Sequence, residues 1–164
     1  MSASQAEKAE RFKALHARPG AFVIPNPWDA GTARVLASLG FEALTTTSAG
    51  MAFTYGRRDG AVTREQALAN AKAIVDAVDL PVAADLENGF GVEPSHVAET
   101  IRLAAAAGAV GGSIEDYRGD PAPPIYILGL ATRPIKAAAE AARSLSFPFT
   151  LTGRCENFLR NRPD

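Results

Sequence analysis

The side chains in this sequence that are best suited to chemistry are carboxylates placed where an apolar run ends. The stretch "VAADLENGFG" passes from three apolar residues to Asp85 and Glu87, one residue apart, and then turns through two glycines. If the apolar run is a buried strand, burying these acidic groups is costly unless something pairs with them. Carboxylates gathered at one place also repel one another unless a cation neutralises them.

Polar or charged residues also follow four other apolar runs. With the first stretch included, the pairs in chain order are Asn26 and Asp29, Thr47 and Ser48, Asp85 and Glu87, Glu115 and Asp116, and Arg154 and Glu156. If these runs are parallel strands of one barrel, their carboxyl ends converge on one face, where the active sites of barrels are built. The pattern therefore predicts a single site made by several strand ends.

The elements that must position these residues alternate between short β-rich runs and longer Ala-rich runs. The predicted strands are 21–26, 42–48, 81–85, 109–115 and 148–153, and the predicted helices are 3–16, 30–39, 64–78, 94–107 and 133–145. Thr63 suits an N-cap and Pro94 a first helical turn, while Gly40 and Gly108 suit the ends of helices. This order predicts a parallel sheet with crossover helices.

Two architectures have this order, an open doubly wound sheet and a (β/α)8 barrel. The open sheet usually has a Gly-rich nucleotide-binding turn after its first strand, whereas the sequence there is "PNPWDAGTA". The barrel also explains the polar strand ends, although a whole barrel takes about 250 residues. We therefore predict one domain over residues 1–164, an α/β chain with about the first five β/α units of a barrel.

Composition and charge narrow the function classes. Of the 164 residues, 47% are hydrophobic and 21% charged, and the formal net charge is −1, so no overall field favours nucleic acid or an anionic membrane. We expect no signal peptide or membrane span, since no apolar run approaches roughly 20 residues. One cysteine fits a reducing compartment. The expected protein is cytoplasmic and its partner a small molecule.

Five blocks of the sequence carry a resemblance to a known family. They are "NPWDAGTARVLASLGFEALTTTSAG", "GRRDG", "ADLENGFG", "SIEDY" and "GRCENFL". In this order and spacing the chain resembles the isocitrate lyase and phosphoenolpyruvate mutase superfamily, in its small-acid branch, from about Phe22 to Leu159. The resemblance implies a (β/α)8 barrel, a homo-oligomer (dimer or tetramer), and Mg²⁺-dependent (or Mn²⁺-dependent) making or breaking of C–C or P–C bonds. It also implies that roughly a hundred further residues complete the barrel.

The resemblance assigns roles to the acidic residues. Asp85 matches the family's Mg²⁺ ligand, and Glu87, Asp59 and Glu115 match acids that hold the ion through water, with direct ligation by Glu87 left open. The catalytic candidates are Asp59 and Glu115 together with Arg154 and Tyr117. A small cation that keeps several waters suits oxygen ligands of this kind. The ion can bind both oxygens of a 2-oxo acid and stabilise the enolate formed on bond cleavage.

The resemblance also assigns residues to the substrate. Thr47, Ser48 and Ala49 match residues that receive the substrate carboxylate, although a run of Thr and Ser can simply form a strand. Asp85 is included as a substrate contact. Arg154 matches an arginine that clamps a distal carboxylate or phosphonate, a task suited to a planar bidentate donor. An ion pair of Arg154 with a neighbouring glutamate is the alternative.

The sequence departs from the family in the loop after the fourth predicted strand. The tricarboxylate lyases carry a cysteine and a histidine there, whereas this loop, "EDYRGDPAPPIYILGLATRPIK", has neither. The mutase's loop Lys and Asn are not found after Glu115. Tyr117, Arg118 and Tyr126 are therefore the loop candidates for proton transfer or substrate contact, with Tyr117 preferred.

Three remaining residue types are assigned to packing, caps or surface. Cys155 is expected to be a small packing residue at the end of the fifth strand. His16 and His96 fall on predicted helices and are expected on the solvated surface. Asp29 suits either a helix N-cap or the site.

Three functions remain open. The first is a Mg²⁺-dependent lyase or decarboxylase of a small 2-oxo or 2-hydroxy acid. The second is hydrolysis or rearrangement of a phosphonate. The third is binding of a small acid without turnover. Five strands alone would leave unpaired edges, so we expect them to be completed by more chain or by other subunits.

Overall fold

The computed structural model describes residues 2–119 and 123–161, which form an α/β structure with one parallel sheet. The elements of this part of the chain are α1 (Gln5–Ala17), α2 (Ala30–Ser38), β1 (Leu44–Thr45), α3 (Ser48–Thr54), α4 (Arg64–Ala77), β2 (Val82–Asp85), α5 (Pro94–Ala106), β3 (Gly111–Glu115), α6 (Leu128–Arg143) and β4 (Thr150–Arg154). The predicted alternation of strands and helices is confirmed.

The four strands pair in parallel in the order β1-β2-β3-β4, so each strand lies beside its neighbour in the sequence. The register places Thr45 beside Ala83, Ala83 beside Gly111, and Gly111 beside Thr150. A sheet that adds every new parallel strand on the same side is one arc of a barrel wall. The carboxyl ends of β2, β3 and β4 therefore lie along one rim.

The first predicted strand, 21–26, is wrong, because this segment is extended but forms no ladder with β1. It makes two contacts there, from the Thr45 amide to the Pro25 carbonyl at 3.2 Å and from Asn26 Nδ2 to the Thr45 carbonyl at 3.3 Å. Pro25 and Pro27 have no backbone N–H to donate. The segment consequently lies beside β1 without becoming part of the sheet.

Local signals set the helix ends as predicted. Thr63 and Asp29 are the N-caps of α4 and α2, each in a reciprocal capping box. Gly40 (φ 85°) and Gly108 (φ 98°) have the left-handed conformation that ends a helix before a strand. Helix α6 begins at Leu128, five residues before its predicted start.

Helix α3 was not predicted. The segment "TTTSAG" was interpreted as the end of a strand, but β1 is two residues long and the chain turns into a helix at Ser48. Thr47 is the N-cap, and its Oγ1 accepts a hydrogen bond from the Gly50 amide at 3.2 Å. The turn brings the backbone of Ser48 to the rim beside β2.

Helices pack on the outer face of the sheet and at the amino ends of its strands. Ile101 and Val97 of α5 are buried against Ala138 and Ala141 of α6. At the amino ends of the strands, Phe12 of α1 packs with buried residues that include Val110. This arrangement closes one end of the sheet and leaves the opposite rim for the polar residues.

The edges of the sheet differ from its centre. In the described residues β4 pairs with β3 alone, and its last three residues are exposed, whereas β2 is almost wholly buried. The helices are short, the longest being the 16 residues of α6. No helix within residues 2–119 and 123–161 has the length and apolar character needed to cross a membrane.

Candidate active site

The ends of β2, β3 and β4 border one cavity of about 420 Å³. The polar residues that line it are Ser48, Asp59, Glu87, Asn88, Glu115, Tyr117, Arg154, Glu156 and Arg160. A cavity of about 570 Å³ between α6 and β4 is lined by residues such as Arg143 and Phe149, with no carboxylate among its lining residues. The predicted convergence of strand ends is therefore found at the smaller, charged cavity.

Asp85, the last residue of β2, has its carboxylate oriented by backbone amides. Oδ2 accepts from the Ser48 amide at 2.9 Å, and Oδ1 accepts from the Glu87 amide at 3.3 Å. Its own amide donates to Thr46 Oγ1 at 2.9 Å. Contacts from the segments after β1 and after β2 thus fix the position of this carboxylate.

Glu87 is held in an unusual environment. Its backbone has φ 48°, a left-handed conformation that costs a non-glycine residue on the order of 1 kcal/mol. Burial, together with the negative charges of Asp59 and Asp85, raises the pKa of its carboxyl to about 7. Oε1 is buried without a hydrogen-bond partner in the described structure. Strain and an orphaned polar atom together indicate a functional position.

Glu115, the last residue of β3, shares this electrostatic environment. Burial and the negative charges of Glu156, Asp85 and Glu87, opposed by Arg154, together raise the pKa of its carboxyl to about 7. Arg154 Nε lies 3.9 Å from Oε2, too far for a hydrogen bond. Asp59, Asp85, Glu87 and Glu115, which we call the carboxylate side, therefore carry negative charge that nearby cations balance only in part.

The adjoining wall, which we call the arginine side, consists of Arg154, Glu156 and Arg160, and Arg154 is the strand neighbour of Glu115. Arg154 Nη2 lies 2.6 Å from Glu156 Oε1, and Arg160 Nη2 lies 3.2 Å from Glu156 Oε2. The guanidinium carbon of Arg160 lies 3.6 Å from the centroid of the Tyr117 ring. The ion pair that the sequence left open for Arg154 is present, and the residue still lines the cavity.

The predicted carboxylate-binding segment lies at the start of α3. Of its three residues Ser48 lines the cavity, and the Ser48 amide is already donated to Asp85. Thr47 uses its hydroxyl as the cap of α3, and Ala49 is half-buried in the first turn. Ser48 is thus the member of this segment best placed to contact a ligand.

Among the loop candidates, Tyr117 is at the cavity. It forms an isolated antiparallel bridge with Ile125, and the Arg118 amide donates to the Pro124 carbonyl at 2.8 Å. Arg118 stacks over Tyr126 at 5.6 Å, and Tyr126 lines a separate cavity of about 140 Å³. Residues 120–122 of the predicted Pro-rich loop lie outside the described residues.

The remaining sequence candidates lie away from the cavity lining. The packing prediction for Cys155 is wrong: it is exposed, because it follows the end of an edge strand, and Sγ lies 3.3 Å from Asp116 Oδ2. His16 and His96 are exposed, as predicted. Asp29 is an N-cap, bonded through Oδ1 to the Thr32 amide at 2.7 Å.

Sequence reasoning missed Glu156 and Arg160 as parts of a site. Glu156 entered as one of the polar strand ends and as a possible ion-pair partner of Arg154 but was given no role in the site, and Arg160 did not enter at all. Their spacing of four residues, which on a helical turn brings opposite charges together, was a usable signal. The turn is present, because the Arg160 amide donates to the Glu156 carbonyl at 3.0 Å.

The residues present fit a hard cation that keeps its water. Across residues 2–119 and 123–161, no three Asp, Glu, His or Cys side chains are grouped closely enough to form a metal centre by themselves. Mg²⁺ commonly takes one or two carboxylates directly and others through water. The orphaned Oε1 of Glu87 and the raised pKa values of Glu87 and Glu115 indicate missing positive charge at this place.

The parallel sheet and the charged residues at its strand ends define an α/β-barrel protein. Its candidate site lies at the carboxyl ends of the strands, where the active sites of barrel enzymes are built. A family profile described as phosphoenolpyruvate phosphomutase matches residues 12–164. The chain therefore belongs to this family, within the isocitrate lyase and phosphoenolpyruvate mutase superfamily, as its sequence predicted.

Several known proteins are similar to this chain in sequence or in fold. A Burkholderia cenocepacia J2315 protein provisionally assigned as a lyase/mutase is 62% identical, with a TM-score of 0.95 over 98% of this chain and 57% of its own. The 2,3-dimethylmalate lyase of Eubacterium barkeri is 36% identical over 66% of this chain and 38% of its own length. A structure of oxaloacetate acetylhydrolase with its product oxalate is 26% identical, with a TM-score of 0.85 over 95% of this chain and 55% of its own. The chain spans under two thirds of each relative.

Proposed function

We propose that the protein is a Mg²⁺-dependent lyase or decarboxylase that cleaves a C–C bond in a small 2-oxo or 2-hydroxy carboxylic or dicarboxylic acid. The observation that carries the proposal is one cavity lined by Asp59, Glu87 and Glu115 of the carboxylate side and by the arginine side. Asp85 is not among the lining residues, but its carboxylate accepts a hydrogen bond from the amide of Glu87, which is. The carboxylate side would bind a cation, and the arginine side would bind an anionic group of the substrate.

On the carboxylate side, Asp85 would hold Mg²⁺ directly, and Asp59, Glu87 and Glu115 would hold it through water; Mn²⁺ suits the same oxygen ligands. When bound, the ion supplies positive charge for the negative charge that develops on the substrate as the bond breaks. Amides of Ser48 and Glu87 already point the Asp85 carboxylate in one direction, so this ligand needs little reorganisation.

On the arginine side, Arg154 would bind the distal anionic group of the acid. The cavity of about 420 Å³ is of the size that suits a small ligand. The relatives' names point to the same substrate class, since one acts on 2,3-dimethylmalate and another yields oxalate. Each of these is a small dicarboxylic acid.

Proton transfer would fall to Glu115 or Tyr117. Glu115 lines the cavity at the end of β3, and a carboxyl group there can give or take a proton at the substrate. Tyr117 lines the same cavity beneath Arg160. Neither role needs the cysteine or histidine that the loop lacks.

The test is turnover of a panel of acids with and without Mg²⁺. Purified protein would be incubated with 2,3-dimethylmalate, 2-methylisocitrate, oxaloacetate and phosphonopyruvate, and 2-oxo acid, oxalate and phosphate would be quantified. We expect Mg²⁺-dependent cleavage of at least one of the organic acids. Product from phosphonopyruvate alone would support the phosphonate alternative, which the family description also favours. Binding without any product would make the protein a small-acid-binding protein instead.

We also propose that the protein is a homo-oligomer, a dimer or a tetramer. Large apolar side chains are exposed, including Val35 (58%) and Leu39 (68%) on α2 and Ile127 (72%) and Leu128 (81%) at the start of α6. Exposed apolar patches mark surfaces that associate. Sedimentation velocity should show a species of at least two subunits, and a monomer at all concentrations would contradict the proposal.

A further inference from the structure

We infer that Glu156 is a positioning residue: it holds the Arg154 guanidinium at the cavity wall for the distal anionic group of a dicarboxylic acid. The inference rests on the proposed function, in which Arg154 binds that group. Neither the family match nor the names of the relatives assign Glu156 a role.

Glu156 is the most deeply buried charged residue of the cavity. It is 3% exposed, and isolated burial of an ionised carboxylate is strongly unfavourable. Each of its oxygens faces a different guanidinium, Oε1 facing Arg154 at 2.6 Å and Oε2 facing Arg160 at 3.2 Å. One carboxylate thus binds two cations that would otherwise repel each other.

The backbone around Glu156 is fixed from the neighbouring strand. The Glu156 amide donates to Asp116 Oδ1 at 2.8 Å, and the Asp116 amide donates to the Arg154 carbonyl at 3.3 Å. These two bonds join the ends of β3 and β4 immediately beyond their last paired residues, Glu115 and Arg154. The backbone of Glu156 is therefore held in place, so its carboxylate can orient the longer side chain of Arg154.

Arg154 needs this contact because little else holds it. Its side chain is 48% exposed in the described residues, and long flexible side chains lose considerable entropy when ordered. Its next carboxylate is Glu115, with Nε 3.9 Å from Oε2. Without the charge of Glu156, Arg154 would turn toward Glu115 and away from a position that serves a ligand.

The test compares two probes in the presence of saturating Mg²⁺. Malate is a 2-hydroxy acid with a distal carboxylate, whereas oxalate has two adjacent carboxylates and no distal group. Isothermal titration calorimetry would measure both affinities in the wild type and in Glu156→Gln. We expect malate binding to weaken by about 10- to 100-fold, the range typical of residues that orient a ligand-contacting group. The affinity for oxalate should change by less than about threefold, which is the variation expected when the mutated residue and the ligand do not interact.

A double-mutant cycle separates positioning from general stability. If Glu156 acts through Arg154, adding Glu156→Gln to Arg154→Ala should weaken malate binding no further, because the group it orients is gone. The same addition to Arg160→Ala should still weaken it. Glu156→Asp, which keeps the charge, should recover part of the malate affinity. It also serves as the test variant, with the same cycle, if Glu156→Gln does not give a folded protein by circular dichroism.

The outcomes distinguish this inference from the proposed function. Equal loss of malate and oxalate affinity in Glu156→Gln, or additive effects with Arg154→Ala, would overturn the positioning role while leaving the Mg²⁺ site intact. Wild-type protein that binds oxalate but not malate would also overturn it. Wild-type protein that binds neither probe with Mg²⁺ would overturn the proposed function and the inference together.

Discussion

The two walls of the cavity handle buried charge in opposite ways. On the arginine side, Glu156 is almost wholly buried, yet each of its oxygens has a guanidinium partner. On the carboxylate side, Glu87 and Glu115 are less buried, but burial and neighbouring carboxylates raise both pKa values to about 7. A buried carboxylate that has guanidinium partners is already neutralised. A buried carboxylate without a cationic partner indicates that a cation from outside the chain binds there.

The difference separates a preformed wall from a wall that needs a cation. On the arginine side the charges are paired within the chain, although Arg160 Nε is buried without a hydrogen-bond partner in the described residues, so variants there should change how an acid binds. The carboxylate side is electrostatically incomplete, so its variants should change cation binding and the pH dependence of stability. Each prediction below tests one side of this contrast.

The largest effect is expected for Asp85→Ala. Removing the carboxylate that we place nearest the ion should abolish measurable Mg²⁺ binding, a loss of more than about 100-fold, beyond the range typical of outer-shell changes. The fold should persist, because Asp85 is the last residue of β2 and its backbone bonds remain. Calorimetry and circular dichroism would check both points. Unchanged Mg²⁺ affinity in the folded variant would remove Asp85 from the metal site.

A smaller effect is expected for Glu115→Gln. A residue that holds the ion through water should, when neutralised, weaken Mg²⁺ binding by about 10- to 100-fold. Glu140→Gln, a change on the outer helix α6, is the matched control and should leave the affinity unchanged. A loss as complete as that of Asp85→Ala would instead show that Glu115 coordinates the ion directly.

On the arginine side, Arg154→Lys should raise the KM for a dicarboxylic acid by about tenfold or more, because an ammonium group cannot reproduce a bidentate guanidinium contact. Mg²⁺ affinity should remain close to wild type. Arg143→Lys, an exposed position at the end of α6, is the control. Normal KM and kcat in Arg154→Lys would refute the clamp.

The smallest effect concerns pH and the metal-free protein. Glu87 and Glu115 have folded-state pKa values of about 7 against the usual 4.5, so the folded state binds more protons than the unfolded state between these values. Stability should therefore fall as pH rises from about 5 to 8. Thermal melts in a chelator should show a lower midpoint at the higher pH, and Glu87→Gln should flatten the slope. A midpoint that rises over this interval would contradict the charge imbalance.

Sequence reasoning succeeded where local chemistry decides the structure. Thr63 and Asp29 cap helices because their side chains accept hydrogen bonds from amides three residues ahead. Gly40 and Gly108 end helices because they accept positive φ. The order of strands then follows from the crossovers, and with it the meeting of Glu87, Glu115 and Arg154 at one rim. The cavity could thus be predicted from strand ends alone.

Sequence reasoning failed where contacts distant in sequence decide. The segment 21–26 has the composition of a strand, but whether it pairs depends on which backbone amides can face β1. Pro25 within the segment and Pro27 directly after it have no amide N–H to donate. The segment before α3 is rich in β-formers, yet the Ser48 amide is drawn to Asp85. Arg160 joins the site because Glu156 and the Tyr117 ring face it, an arrangement that only the folded chain shows.

Proton release on Mg²⁺ binding is the most direct test of the claim that the carboxylate side is a cation site. Glu87 and Glu115, with pKa values of about 7, hold protons at neutral pH that a bound cation must displace. Calorimetry in buffers of different ionisation enthalpy should therefore show release of on the order of one proton per Mg²⁺ at about pH 7, falling toward zero near pH 9. No Mg²⁺ binding, or binding with no proton release at pH 7, would contradict the account.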